Sequence, residues 1–201
     1  MLIVGVNGSP RKQASEFLLE SALEGARQTG ADTRLIQLAD RTIKHCRGCN
    51  SCLKEERCVQ TDELEEVSSN LLEAAGLIFA APSYFGAVPG VMKNFLDRTR
   101  YLKMRGHLLQ DKPFAALSTS GLREGGASQV ITNLHYFALL QGMLVVGAAG
   151  DPRTEPNLIT GTMQTDSGWQ KISEDDRTGD LSRKLGIRVA ELAERLDKNN
   201  S

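Results

Sequence analysis

Four cysteines fall within thirteen residues, spaced Cys46-x2-Cys49-x2-Cys52-x5-Cys58, and the chain has no others. Thiolates crowded this tightly suit a cubane, whose iron atoms offer several ligand sites on one compact object. The opening C-x2-C-x2-C matches the run that holds a [4Fe–4S] cluster, although the last gap is five and no proline follows. Gly48 gives the backbone freedom to wrap around such an object. Structural zinc normally uses two knuckles separated by a longer spacer. The other alternative is a set of free thiols in a loop ordered by packing alone.

Three further segments carry residue types suited to a nucleotide with a flat ring. The run Gly5-Val6-Asn7-Gly8-Ser9-Pro10-Arg11-Lys12-Gln13-Ala14-Ser15 leads from an apolar stretch into a helical pattern. It combines a permissive glycine, the hydroxyls of Ser9 and Ser15, and a helix N-terminus with free N–H groups, a combination that binds phosphate. Arg11 adds a fixed fork of donors. The loop lacks both GxGxxG and GxxxxGK[ST], which disfavours a dinucleotide or Walker-type site. The bland alternative is a tight turn with Ser15 as helix cap. Pro82-Ser83-Tyr84-Phe85-Gly86 places two aromatics beside a glycine, and Thr119-Ser120-Gly121, followed by Gly125-Gly126, lets a ligand approach the main chain. Rim packing and ordinary turn chemistry are the alternatives for these two.

The elements that must position these segments alternate along the chain. Strand-like runs occur at Leu2–Val6, Thr33–Leu38, Leu77–Ala81, Phe114–Ser118 and Met143–Val146. Between them lie helical stripes: Leu18, Leu19, Ala22, Leu23 and Ala26; a helix starting near Thr61; one burying Val91, Met92, Phe95, Leu96 and Leu102; and one with Val130, Ile131, Leu134, Phe137 and Leu140. Leu181, Leu185, Val189, Leu192 and Leu196 close the chain. Five strands alternating with helices predict an α/β fold: a doubly wound parallel sheet with helices on both faces, in a single domain over residues 1–201. Ligands of such sheets sit at the carboxyl ends of the strands, where all three segments fall. Residues 39–60 form a cysteine-rich loop. Residues 148–176 lack clear periodicity, and a loop that long is functional or covers an interface between copies.

Composition narrows the function. With 24 Lys and Arg against 25 Asp and Glu, the net charge of −1 gives no field to gather nucleic acid or an anionic membrane. No apolar run approaches the length that spans a bilayer, and the N-terminus lacks the pattern of an export signal. The expected location is the cytoplasm, where cysteines serve as ligands more readily than as disulfides.

The segments GSPR after the first strand, PSYFGAVPGVMKNFLDR after the third and the Gly-rich STSG loop after the fourth resemble the NAD(P)H-dependent FMN reductase branch of the flavodoxin-like superfamily, over residues 1–147. With the cysteine spacing between the second and third strands, the chain is similar to the iron–sulfur flavoproteins of that branch. The resemblance implies a five-stranded flavodoxin-like sheet of order 2-1-3-4-5 and non-covalent FMN. Ser9, Arg11 and Ser15 would hold its phosphate. Pro82, Ser83, Tyr84, Phe85 and Gly86 would line the ring, with Thr119, Ser120 and Gly121 opposite. Cys46, Cys49, Cys52 and Cys58 would ligate a [4Fe–4S] cluster exchanging electrons with FMN, with ferredoxin or NAD(P)H as donor, in a homodimer or homotetramer. The alternative is an NAD(P)H-dependent FMN or quinone reductase without a working cluster. The chemistry belongs to the flavin, so no catalytic acid or base is expected.

Other residues carry blander expectations. His45 reads as an exposed loop residue, His107 and His135 as surface or helix-packing residues, and Lys93 with Asp97 as a solvated pair. Trp169 reads as a packed loop anchor, and the acidic run from Asp62 to Glu66 as the face of a helix N-terminus.

Overall fold

In a computed structural model, residues 1–55 and 57–199 are described; Glu56 of the cysteine-rich loop and the terminal Asn200 and Ser201 lie outside the described residues. The strands are β1 (Leu2–Asn7), β2 (Asp32–Gln37), β3 (Gly76–Pro82), β4 (Pro113–Ser120) and β5 (Leu144–Val145). They pair in parallel in the order β2-β1-β3-β4-β5, the order expected of a flavodoxin-like sheet.

Successive residues of a strand point to opposite faces, and this alternation divides the apolar side chains between two layers. Val4, Val6, Leu77, Phe79, Phe114 and Ala116 face α2 (Leu64–Glu73), α3 (Gly90–Arg98), α4 (Arg100–Met104) and α5 (Ala127–Leu140). Ile3, Ile78, Ala80, Ala115 and Leu117 face α1 (Ala14–Gln28) and α6 (Asp176–Asn199). Phe79 anchors the first layer, meeting the edge of Phe114 with ring centroids 5.0 Å apart. Each such side chain taken from water contributes roughly 1.5–3 kcal/mol.

Four expectations are corrected by the structure. The second helix starts at Leu64 rather than near Thr61, because the Asp62 carboxylate is drawn into a buried ion pair. The helix expected to carry Leu102 stops at Arg98; the Thr99 hydroxyl donates to the Leu96 carbonyl (2.8 Å) there, and α4 begins separately. The fifth strand spans only two residues. The rest of β4 pairs instead with β6 (Ile159–Thr162), from within the segment expected to be irregular, so that unpaired main-chain groups on that edge find partners. The same segment adds a small antiparallel hairpin of β7 (Gln164–Thr165) and β8 (Gly168–Trp169). No described helix is long and apolar enough to cross a membrane.

The second layer depends on close contact between α1 and α6. A Cβ on Gly186 would lie 1.7 Å from the Ala22 carbonyl oxygen, and one on Gly25 would lie 2.0 Å from that of Arg183. Neither contact can be relieved by a side-chain rotation, because both partners are backbone. Gly186→Ala should therefore lower the unfolding free energy by about 2 kcal/mol or more in urea titration, the upper range of overpacking penalties. Gly90→Ala, which meets nothing within 4 Å, is the control; equal losses in both variants would sink this account.

Candidate functional site

Several buried polar residues, Asn7, Ser9, Ser15, Gln37, Thr119 and Ser120 among them, gather at the carboxyl rim of the sheet. Asn7, at the end of β1, is fully buried. Its Oδ1 accepts from the backbone N–H of Ser9 (3.2 Å) and from the Ser15 hydroxyl (3.0 Å), while its Nδ2 donates to Gln37 Oε1 (2.7 Å). The Gln37 amide in turn donates to the Ser9 carbonyl (2.9 Å). The loop following β1 is thus held from beneath by two side chains, at the ends of β1 and β2. Ser9 Oγ accepts from the Arg11 N–H (3.0 Å), which leaves its proton free. The Arg11 side chain is exposed.

The first N–H groups of α1 have no acceptor within the helix. Gln13, not Ser15, occupies its cap position, and it makes no side-chain cap. Ser15 therefore stands inside the first turn, with its hydroxyl proton committed to Asn7. Lys12 pairs with Asp40 at 2.7 Å.

The two ring-type segments lie against each other. Pro82 pairs with Thr119 across the sheet, and the Ser83 N–H donates to the Thr119 carbonyl at 2.7 Å. Tyr84 and Ala87 exchange backbone hydrogen bonds around Phe85 and Gly86, both of positive φ (53° and 75°). This is the conformation that two-residue turns between antiparallel partners demand. Phe85 adopts it despite carrying a side chain, and that side chain is fully exposed. A Cβ on Gly126 would lie 2.7 Å from Gly86 Cα and 2.9 Å from Ser83 Oγ, so the Gly-rich loop abuts the aromatic one. The buried Ser83 hydroxyl has no partner. The rim also includes buried Thr119 and Ser120, the latter donating to the Leu122 carbonyl (2.6 Å).

Trp169 is not the packed anchor expected of it: it is 66% exposed. Its indole lies about 4 Å from the position a Cβ would take on Gly121. The hairpin that carries it is tied down by backbone bonds from Met163 to Ser120 and from Gln164 to Gly121.

The cysteine segment forms a second centre. Gly48 and Asn50 both have positive φ, and a single 3-10 turn covers Ser51–Leu53. All four cysteines line one hollow, together with Arg98, Arg100 and Tyr101. Cys46 and Cys49 are exposed, while Cys52 and Cys58 are half-buried against the core. Hydrogen bonds from the Ser51 side chain and backbone lower the Cys49 thiol below its ordinary value, with a smaller contribution from Arg47. Arg100 Nη1 donates to Asn50 Oδ1 (2.9 Å) and lies 3.5 Å from Cys52 Sγ. Among the described residues, no three His, Cys, Asp or Glu side chains converge as ligands of one ion. The donor set nevertheless fits a cluster in kind and number: four thiols around one hollow, beside Arg47, Arg98 and Arg100.

Sequence reasoning passed over the pair that fastens this segment. Arg98 and Asp62 have side chains only 1% and 3% exposed, joined at 2.7 and 3.1 Å. Arg98 also donates to the carbonyls of Lys44 (2.8 Å) and Gln60 (3.4 Å), while Asp62 accepts from the Lys44 N–H (3.1 Å). Glu63 accepts from the Thr42 N–H (2.6 Å) and pairs with Arg41 (3.1 Å). Asp62 and Glu63 are therefore structural clamps, where the acidic run suggested only the face of a helix N-terminus. Lys93 and Asp97 do form the expected surface pair. Half-buried His135 packs against Phe114, and burial lowers its pKa.

Residues 1–150 match the family described as NADPH-dependent FMN reductase. An iron-sulfur flavoprotein of Archaeoglobus fulgidus is 37% identical over 194 residues, covering 96% of each chain. Another, from Methanocaldococcus jannaschii, is 33% identical over 199 residues, 98% of this chain and 100% of that one. Among solved structures, a WrbA-like flavodoxin from Agrobacterium tumefaciens superposes with a TM-score of 0.65 at 18% identity, covering 96% of this chain and 98% of its own.

The buried pair makes a testable contribution to stability. Burial pushes the Asp62 carboxyl up, but the hydrogen bonds from Arg98 and from the Lys44 and Leu64 N–H groups outweigh it and hold the group below the usual carboxylate range. A depressed folded-state pKa stabilises the protein above the unfolded value, about 3.9, and the benefit fades as pH falls through the folded value. Asp62→Asn should cost about 3 kcal/mol or more at pH 7, as expected when one partner of a buried pair is lost. The gap from wild type should narrow in acid; a gap of constant size from pH 7 to 3 in denaturant titrations would contradict the assignment.

Proposed function

The chain belongs to the NADPH-dependent FMN reductase family, and we propose that this flavin-dependent oxidoreductase passes electrons between FMN on the sheet rim and a [4Fe–4S] cluster on its four cysteines. The observation that carries the reading is the hollow shared by Cys46, Cys49, Cys52 and Cys58, set apart from a rim whose loops meet at Gly86 and Gly126. Bound FMN supplies the ability to take up a hydride and release electrons singly.

On this reading the protein's part is to hold and insulate. The Ser9 hydroxyl, the first N–H groups of α1 and the exposed charge of Arg11 would bind the phosphate. Ser15 would serve through its backbone N–H, because its hydroxyl donates to Asn7. Pro82, Ser83, Tyr84, Phe85 and Gly86 would flank the ring on one side, with Thr119, Ser120 and Gly121 on the other. Exposed Phe85 would leave water on binding, which compensates for its left-handed backbone. The unpartnered Ser83 hydroxyl offers a polar contact at the same edge. NAD(P)H or a ferredoxin would supply electrons to a single-domain protein assembled as a homodimer or homotetramer through the 148–176 segment. A second reading, favoured by the family's own description, is an NAD(P)H-dependent FMN or quinone reductase that works without the cluster.

Protein purified without oxygen should show a flavin spectrum with broad iron–sulfur absorbance and contain iron and sulfide. Cys49→Ala should abolish the iron while FMN remains bound. A flavin spectrum alone, with NAD(P)H oxidation, would establish the second reading; failure to quench the fluorescence of added FMN would sink both. Asn7→Ala removes the acceptor for two loop contacts and should weaken FMN about five- to thirtyfold in the same fluorescence titration, the effect of losing about one to two kcal/mol.

A further inference from the structure

Arg98 satisfies four acceptors through its two terminal nitrogens, yet its Nε–H, equally buried, has no partner. A buried donor left unsatisfied costs about 1–3 kcal/mol and calls for an explanation. The side chain lines the cysteine hollow together with half-buried Cys58. Arg100, which lines the same hollow, donates to Asn50 and lies within reach of Cys52 Sγ. Two guanidinium groups thus stand beside the two half-buried thiols, both supplied by the junction of α3 and α4.

We propose that Arg98 and Arg100 are positioning residues of the cluster site, placing N–H donors against the sulfurs at Cys58 and Cys52 and so raising the potential at which the site accepts an electron. The inference rests on the cluster reading above. Donors and positive charge beside sulfur favour the state with one more negative charge, and hydrogen bonding to sulfur is among the factors that set iron–sulfur potentials. Arg98 does this from a fixed position. Asp62 and the carbonyls of Lys44 and Gln60 hold its terminal nitrogens, so Nε cannot turn away. These contacts also close the two ends of the segment onto each other. Lysine could not replace either arginine fully, since it lacks the planar fork that spans several acceptors at once.

The test uses the full chain, prepared without oxygen and loaded with iron and sulfide. Wild type is compared with Arg100→Gln and with the paired replacement Arg98→Met and Asp62→Leu. Removing both buried charges together is tolerated far better than removing one, and retained quenching of FMN fluorescence checks that the fold survives. Arg100→Gln should keep its iron while its midpoint potential falls by about 59 mV, a tenfold weaker hold on one electron. The paired variant should shift in the same direction. In its metal-free form, amide exchange across residues 42–60 should speed up at least about tenfold as the clamp opens. Unchanged potential in Arg100→Gln overturns the proposal whether or not the paired variant folds. Wild-type protein that takes up no iron overturns the cluster reading and this inference together, a failure recognised by iron analysis before any potential is measured.

Discussion

Arg98 and Asp62 are both charged and both almost wholly removed from water, a state that is expensive unless every donor and acceptor is engaged. Most of them are engaged, by groups that belong to the two ends of the cysteine segment. The carbonyls of Lys44 and Gln60 and the N–H of Lys44 complete the pair. The pair and the segment are therefore mutually dependent. Without the segment the charges would be stranded, and without the charges the segment, which includes little regular structure, would lose the tie that joins Lys44 to Gln60. The segment's own apolar contribution is modest, confined to Ile43, Cys52 and Cys58 packed on the core.

The rim of the sheet solves a related problem with neutral groups. Asn7 and Gln37 are buried amides whose hydrogen bonds run into the loop after β1. An amide can donate and accept at once, so one side chain satisfies both the loop's N–H and its neighbour's carbonyl. Charged residues in those positions would have required counter-ions in the place where an anionic ligand is proposed to sit. Polarity at the rim is arranged to hold the loop while leaving the N-terminus of α1 free.

Much of this was legible in the sequence. Parallel strands announced themselves as short apolar runs such as Leu77–Ala81, because both faces are covered, and Val91, Met92, Phe95 and Leu96 marked α3 by their spacing. The strand order followed from the family resemblance. What could not be read were contacts between residues far apart in sequence that leave no local pattern. Asp62 sits among glutamates and does serve the start of a helix through the Leu64 N–H; only its meeting with Arg98, 36 positions away, makes it half of a buried ion pair. Arg98 itself looks like one more helix-end cation. Asn7 lay in plain view within the phosphate-type loop, but its burial depends on Gln37 at the end of another strand. Strand β6 was missed because Ile159–Thr162 is only four residues long and contains a glycine, and it takes its conformation from the open edge of β4.

Helix α3 explains how two sites built from loops can keep a fixed relation. It begins directly after the Pro82–Pro89 stretch and ends at Arg98. In its first turn, Met92 packs so closely on the loop after β1 that a Cβ on Gly8 would lie 2.7 Å from it. One helix of nine residues, about 13 Å long, thus touches the phosphate-type loop, issues from the aromatic loop and delivers the guanidinium that clamps the cysteines. Met92 and Phe95 are fully buried, and interiors packed to this density do not deform smoothly. Spacing between the two sites is consequently a property of the core. The loops can differ in detail while the helix keeps them in place, and a core substitution at Phe95 would disturb both sites from within the core.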